Sequence, residues 1–117
     1  HTLGGLYGTA HGLANAVLLP IVLEDYGAAA YPRLARLAHL VGIQEASAEA
    51  SARAFIAEIR AMNARMGIPD HFDCIRSEDI PLMASWACRE ANPVYPVPVI
   101  YDRARFARVI ERSRAEP

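Results

Sequence analysis

Residues 13–23, Leu-Ala-Asn-Ala-Val-Leu-Leu-Pro-Ile-Val-Leu, are apolar almost all round. A helix without a polar face is buried on most sides. That requirement weighs heavily in a chain of 117 residues, which has room for one domain and a modest core. Neighbours must cover both faces of the segment, and they come from this chain or from something outside it. Eleven residues are too few for a membrane span of about 20. Pro20 is expected to kink the helix.

Composition points to other helices as those neighbours. Ala supplies 22 residues, so the 53% apolar content overstates the large side chains. Alanine with only 8% aromatics favours helices packed closely together. All 12 basic residues are Arg, and the net charge is −1. That balance gives no general reason to expect nucleic acid or an anionic membrane as partner. Cys74 and Cys88 are too few for a disulfide scaffold and suit the reduced thiols of a cytoplasmic protein. No signal-peptide pattern precedes them. The start at His1 rather than Met leaves a processing site or the edge of a fragment open.

Helical spacing recurs along the rest of the chain. Tyr31-Pro32 opens a second helix, with Leu34, Leu37, Ala38 and Val41 on one apolar face and Gly42 past its end. Ser47 is the expected N-cap of a third and longest helix. Its stripe is Ala52, Phe55, Ile56, Ile59, Asn63 and Met66, and Gly67-Ile68-Pro69 stops it. Ser77 is the expected cap of a fourth helix, whose stripe is Ile80, Met83, Ala84, Ala87, Cys88 and Ala91. Residues 93–100 hold three prolines within six residues and predict an extended strap against the body. Asp102 caps a last helix with Phe106, Val109 and Ile110 facing in. Its arginines alternate with Asp102, Glu111 and Glu116, as on a solvated face. The Gly-rich stretch from His1 to Gly12 predicts a loop or a helix end with tight turns. The sum is an all-α single domain over 1–117, with about five helices and one strap.

Four histidines and two cysteines carry the candidate chemistry. His1 and His11 stand ten apart with three glycines between them. Imidazole is the commonest ligand for Zn, Fe and Cu, and Gly12 leaves room for close backbone approach. A complete centre needs three or four ligands. His39 lies off the apolar stripe of its helix and suits the surface. His71, in Asp70-His71-Phe72-Asp73, suits a solvated turn. Cys88 falls on an apolar stripe, as a core thiol or a pocket-lining one. Cys74 has no evident activator. No phosphate loop follows a strand, and no nucleophile triad has a recognisable spacing.

The segment from His1 to Pro20, with its two histidines, the Gly after the second and the Asn-Ala…Leu-Leu-Pro run, resembles the metal-binding signature of the iron-containing (group III) alcohol dehydrogenases. Tyr31…Leu34-Ala35…Ala38, Gly67-Ile68-Pro69 and Ala91-Asn92-Pro93 follow in the same order as in that family, so the resemblance spans essentially the whole chain. It implies the C-terminal, all-helical metal-binding domain of an enzyme whose N-terminal Rossmann-like domain binds NAD(P). The family's metal is held by one Asp and three His. By resemblance His11 is the last of those ligands, and the other three lie before His1, outside this sequence. His1 matches an active-site histidine beside the nicotinamide and substrate that is not usually a ligand, so it is the catalytic and cofactor-side candidate. Cys88, four residues before Asn92, matches a stretch that approaches the substrate cavity.

The resemblance therefore implies one part of a metal-dependent dehydrogenase that interconverts alcohols and aldehydes or ketones. Fe(2+) or Zn(2+) and NAD(P) would serve the parent enzyme and would not be held by this segment alone. The segment alone is expected to be inactive. Its expected partners are a small alcohol or aldehyde substrate, the missing N-terminal domain and, through any apolar surface left open, a second copy as a homo-oligomer. Two other readings stand beside it: a related polyol dehydrogenase or maleylacetate reductase, and a helical interaction or assembly module without catalysis.

Overall fold

The computed structural model describes residues 1–92 and 95–115. Pro93 and Val94 of the expected strap, and Glu116 of the expected alternating charges, lie outside the described residues. Among the described residues six α-helices follow in order: α1 (Thr2–Tyr7), α2 (His11–Tyr26), α3 (Tyr31–Leu40), α4 (Ala48–Arg65), α5 (Ile80–Ala91) and α6 (Arg103–Ser113). Short 3-10 turns lead into α3 and α5. Among the described residues no strand forms. One isolated parallel bridge joins Phe72 to Arg114. The all-α expectation holds, and α1 is the helix beyond the five expected.

Local chemistry sets most of the boundaries. The Ser47 hydroxyl accepts from the Ala50 amide at 3.1 Å and starts α4. Gly67, at φ 73°, ends that region, and the Ile68 amide donates to the Asn63 carbonyl at 2.9 Å. Asp102 caps α6 by accepting from the Arg105 amide at 2.8 Å. Ser77 does not cap α5. Residues 77–79 form a 3-10 turn, the helix begins at Ile80, and no side chain caps it. The nearby Asp79 carboxylate is taken by Tyr7 at 2.7 Å and Arg76 at 3.1 Å.

The core sits where α2 meets its neighbours. Leu3 of α1, Ala14 and Val17 of α2, Met83 and Ala84 of α5 and Ile110 of α6 form its main cluster. A second cluster pins α3 to α4 through Leu34, Ala52 and Ile56. The α3 stripe is narrower than expected. Leu34 and Ala38 are buried, but Leu37 and Val41 are 46% and 62% exposed. α3 packs chiefly on α4, so one i, i+4 seam is all that it buries.

α2 runs unbroken through Pro20 and starts at His11, earlier than its apolar run. Val17, Pro20 and Ile21 are buried, yet Leu13 and Leu19 stay 39% and 47% exposed. The expected cover on both faces is thus incomplete within this chain. Among the described residues no helix is long and apolar enough to cross a membrane.

Two carboxylates at the C-terminal end of α2 tie the fold together. Glu24 pairs with Arg60 of α4 at 2.6 Å and with Arg112 of α6 at 2.9 Å. Asp25 accepts from Arg105 and from the Tyr101 hydroxyl. Tyr101 anchors the far end of the segment running from Tyr95, which contains no helix, as expected. These anchors hold α6 and the strap beside α2 and α5, where the site lies.

Candidate functional site

Gly8, at φ 69°, closes α1 and turns the chain towards α2. The turn is tight. A Cβ on Gly4 would stand 3.3 Å from the Thr9 carbonyl oxygen. As a result His1, just before α1, and His11, at the start of α2, come face to face. Their rings stack with centroids 5.1 Å apart and planes 12° from parallel. Imidazole lone pairs lie in the ring plane, so two stacked, near-parallel rings do not converge on one ion. They can take different roles side by side.

Each ring has a partner of its own. Asn15, one turn along α2, places Nδ2 3.3 Å from His11 Nε2. His1 Nδ1 meets the Glu90 carboxylate, on the last turn of α5. The same Glu90 oxygen accepts from the Tyr95 hydroxyl at 2.8 Å. This hydrogen bond to a carboxylate holds the Tyr95 hydroxyl above its ordinary pKa, with burial adding to it. Nothing lies within 4 Å of a Cβ placed on Gly12, so the space beside His11 is open.

Below these rim groups lies a cavity of about 340 Å³, walled by α2, α5, α6 and the strap. Its floor is mostly apolar, with Leu18, Val22, Ala87, Val99 and Phe106 among the lining groups. This volume falls in the usual range for a small-molecule site.

Cys88 is not among the residues lining the cavity. Its half-buried thiol is turned to the wall, with Sγ 3.5 Å from Asn92 Nδ2 and 3.9 Å from the Tyr101 carbonyl oxygen. Asn92 lines the cavity and donates to that same carbonyl at 3.0 Å. Cys88 therefore supports the residue that reaches the space. His39 is exposed on α3. His71 pairs with its neighbour Asp70 at 2.5 Å in a surface turn. Cys74 is exposed, 3.8 Å from the Thr9 hydroxyl.

Among the described residues no three His, Cys, Asp or Glu side chains gather as a metal centre. Zinc and iron centres take three or four protein ligands. The stacked His1–His11 pair supplies no such set, so these residues alone do not fit the ion. Glu90, Asn15 and Tyr95 escaped the sequence reading. The available signal was that Glu90 is the one acid of α5, two residues beyond Cys88 and next to Arg89.

Residues 1–112 match the family described as "Fe-containing alcohol dehydrogenase family, C-terminal". Lactaldehyde reductase of Escherichia coli K12 is 37% identical over 102 residues, covering 80% of this chain and 26% of that protein. 1,3-propanediol dehydrogenase of Klebsiella pneumoniae is 40% identical over 97 residues, covering 79% and 25%. The fold also matches a crystal structure of 1,3-propanediol oxidoreductase with a TM-score of 0.88 and 32% identity. That match covers 97% of this chain and 30% of the other. The chain thus spans about a quarter of the length of these curated relatives.

Proposed function

The chain belongs to the Fe-containing alcohol dehydrogenase family, of which it carries the C-terminal region, and from that premise we propose that it is the helical part of a metal- and NAD(P)-dependent enzyme interconverting alcohols with aldehydes or ketones. In this reading His11 is one metal ligand, and the remaining ligands and the nucleotide-binding domain belong to other sequence. In the whole enzyme the metal, Fe(2+) or Zn(2+), would supply a Lewis acid for the substrate oxygen. His1, stacked on His11, would move the hydroxyl proton. Its Nδ1 is engaged by Glu90, which leaves Nε2 as the nitrogen that takes or returns the proton.

The observation that carries the reading is the stacked His1–His11 pair at the rim of an apolar cavity. Stacking separates a ligand from a proton carrier while keeping both within reach of one substrate. The match to relatives named as lactaldehyde reductase and 1,3-propanediol dehydrogenase supports the reaction class. On its own, one imidazole does not retain the ion, so the 117-residue chain is expected to lack dehydrogenase activity.

The test is a chimera in which this chain replaces the matching quarter of the E. coli lactaldehyde reductase. The chimera should hold about one Fe or Zn per chain and turn over alcohols with NAD(P). His11→Ala should lose the metal, whereas His1→Ala should keep it and lower kcat. A folded chimera without metal, or stoichiometric metal in His11→Ala, overturns the assignment and leaves the helical-module reading.

A further inference from the structure

The cavity is two-sided in its chemistry. His1, His11, Asn15 and Glu90 form a polar rim, while the interior is lined by Leu18, Val22, Ala87, Val99, Phe106 and Val109. Several polar groups at the wall are already engaged, while the Tyr26 hydroxyl carries no hydrogen bond among the described residues. The Tyr101 hydroxyl donates to Asp25 at 2.5 Å, Ser113 Oγ to the Ile110 carbonyl at 2.7 Å, and Asn92 Nδ2 to the Tyr101 carbonyl at 3.0 Å. A ligand hydroxyl placed among these groups would exchange water for few free partners, and that exchange is unfavourable. A hydrocarbon placed there loses nothing and leaves water.

Size agrees with this. A cavity of roughly 150 Å³ holds a benzene ring, and this one is about 340 Å³. Tyr95, Val97, Val99 and Tyr101 form one wall. The Tyr95 amide is fixed to the Ala91 carbonyl at 2.9 Å and its hydroxyl to Glu90, while Tyr101 is fixed to Asp25. Pro96 and Pro98 restrict the chain between these anchors.

We propose that this chamber is the binding site for the hydrocarbon body of a medium-chain or aryl primary alcohol or aldehyde, with its oxygen held at the His1–His11 rim. The assignment of the oxygen to the rim rests on the dehydrogenase reading above; the apolar chamber does not. A short diol fills neither the volume nor the chemistry of the site.

The experiment is an NMR titration of the isotope-labelled 117-residue chain with 1-hexanol and, separately, with 1,3-propanediol. Hexanol should shift the methyl signals of Leu18, Val22 and Val99 saturably. Propanediol should give no saturable shift at ten times that concentration. Ala87→Leu and Val22→Phe, which fill the chamber from different helices, should each weaken hexanol binding at least tenfold while the spectrum stays dispersed. Equal or tighter propanediol binding, no saturable hexanol shift, or hexanol binding that survives both filling variants overturns the proposal. Hexanol binding to this chain, with no metal in the folded chimera, would leave the chamber standing and sink the enzyme reading. The converse result would sink only the chamber.

Discussion

Asp25 of α2 and Arg105 of α6 lie 80 residues apart in the chain and meet as an ion pair of 2.9 Å. The Asp25 side chain is only 13% exposed, and its Oδ2 also accepts from Tyr101. Arg105 further donates to the Asp25 carbonyl at 2.7 Å and lies over the Tyr101 ring, 4.8 Å from its centroid. One carboxylate therefore holds α6 and the end of the strap against α2. Asp25→Ala should cost about 2–3 kcal/mol, since it leaves a half-buried guanidinium and a buried hydroxyl without their acceptor. Tm should fall by roughly 10 °C in a calorimetric scan. Tyr101→Phe should cost about 1 kcal/mol, because only the hydroxyl is lost. An Asp25→Ala protein as stable as the parent would show that the pair contributes nothing.

The same group carries a pH dependence. Burial pushes the Asp25 carboxyl up, but the hydrogen bonds from Tyr101 and Arg105 together outweigh it, so its pKa ends below the ordinary value. A depressed carboxylate stabilises the fold above its unfolded pKa of about 3.9 and loses that contribution as pH falls through the folded value. Burial and the Asp25 partner push Tyr101 the other way, upward. Its contribution is complete below about pH 10 and disappears as pH rises further. Denaturant titrations of the parent from pH 6 to pH 2 should show a steeper loss of stability than those of Asp25→Asn. Parallel curves would remove Asp25 as a source of the acid sensitivity.

The helix boundaries were legible wherever a side chain or glycine makes them. Ser47 and Asp102 do this by capping, and Gly67 by its left-handed backbone. α1 was not legible, since Gly4 and Gly5 are poor helix formers. Tertiary packing holds it, through Leu3 buried against the Met83 cluster. Ser77 looked like a cap, but the helix begins past the turn it occupies. Leu37 and Val41 fit the helical period, yet they stay 46% and 62% exposed, and period alone carries no information on packing partners. In the site, His1 and His11 were legible through their motif. Glu90 was not, because a lone acid near a helix end is normally solvated. Only the fold brings it to a histidine 89 residues away.

The caps allow a cleaner test than the core, since they alter no cavity. Ser47→Ala removes an acceptor 3.1 Å from the Ala50 amide, and Asp102→Ala removes one 2.8 Å from the Arg105 amide. Each should cost about 1 kcal/mol. The two sites share no partner, so the double variant should lose the sum. Urea midpoints of the two single variants and the double variant would check this. A double variant that loses clearly more than the sum would mean that α4 and α6 are coupled through Glu24, which pairs with both.

Met83 is fully buried at the meeting of α1, α2 and α5, and it also borders the cavity. Truncation to Ala enlarges a space that already exists. The fold should lose about 2–5 kcal/mol. Met83→Leu, which nearly conserves volume, should cost less than about 1.5 kcal/mol. Equal losses for the two would show that the sulfur, and not the filled volume, matters at that position.

Glu90 is the residue whose removal separates orientation from ligation. It touches His1 and Tyr95, whereas the His11 ring is attended by Asn15. If Glu90 sets the His1 tautomer, Glu90→Ala in the chimera should leave the metal content unchanged. It should lower kcat by about 10–100-fold, the usual cost of losing an orienting partner. KM should move less than kcat, because Glu90 sits at the polar rim and the apolar side chains lining the cavity are kept. Glu90→Gln keeps a carbonyl acceptor for His1 Nδ1 and should recover part of the rate. Tyr95→Phe removes only the far end of the chain of hydrogen bonds and should cost less than Glu90→Ala. In Glu90→Ala the Tyr95 hydroxyl should also titrate closer to its ordinary value, since the carboxylate that held it up is gone. Loss of metal in Glu90→Ala, or an unchanged kcat, would remove Glu90 from the machinery and return it to the surface.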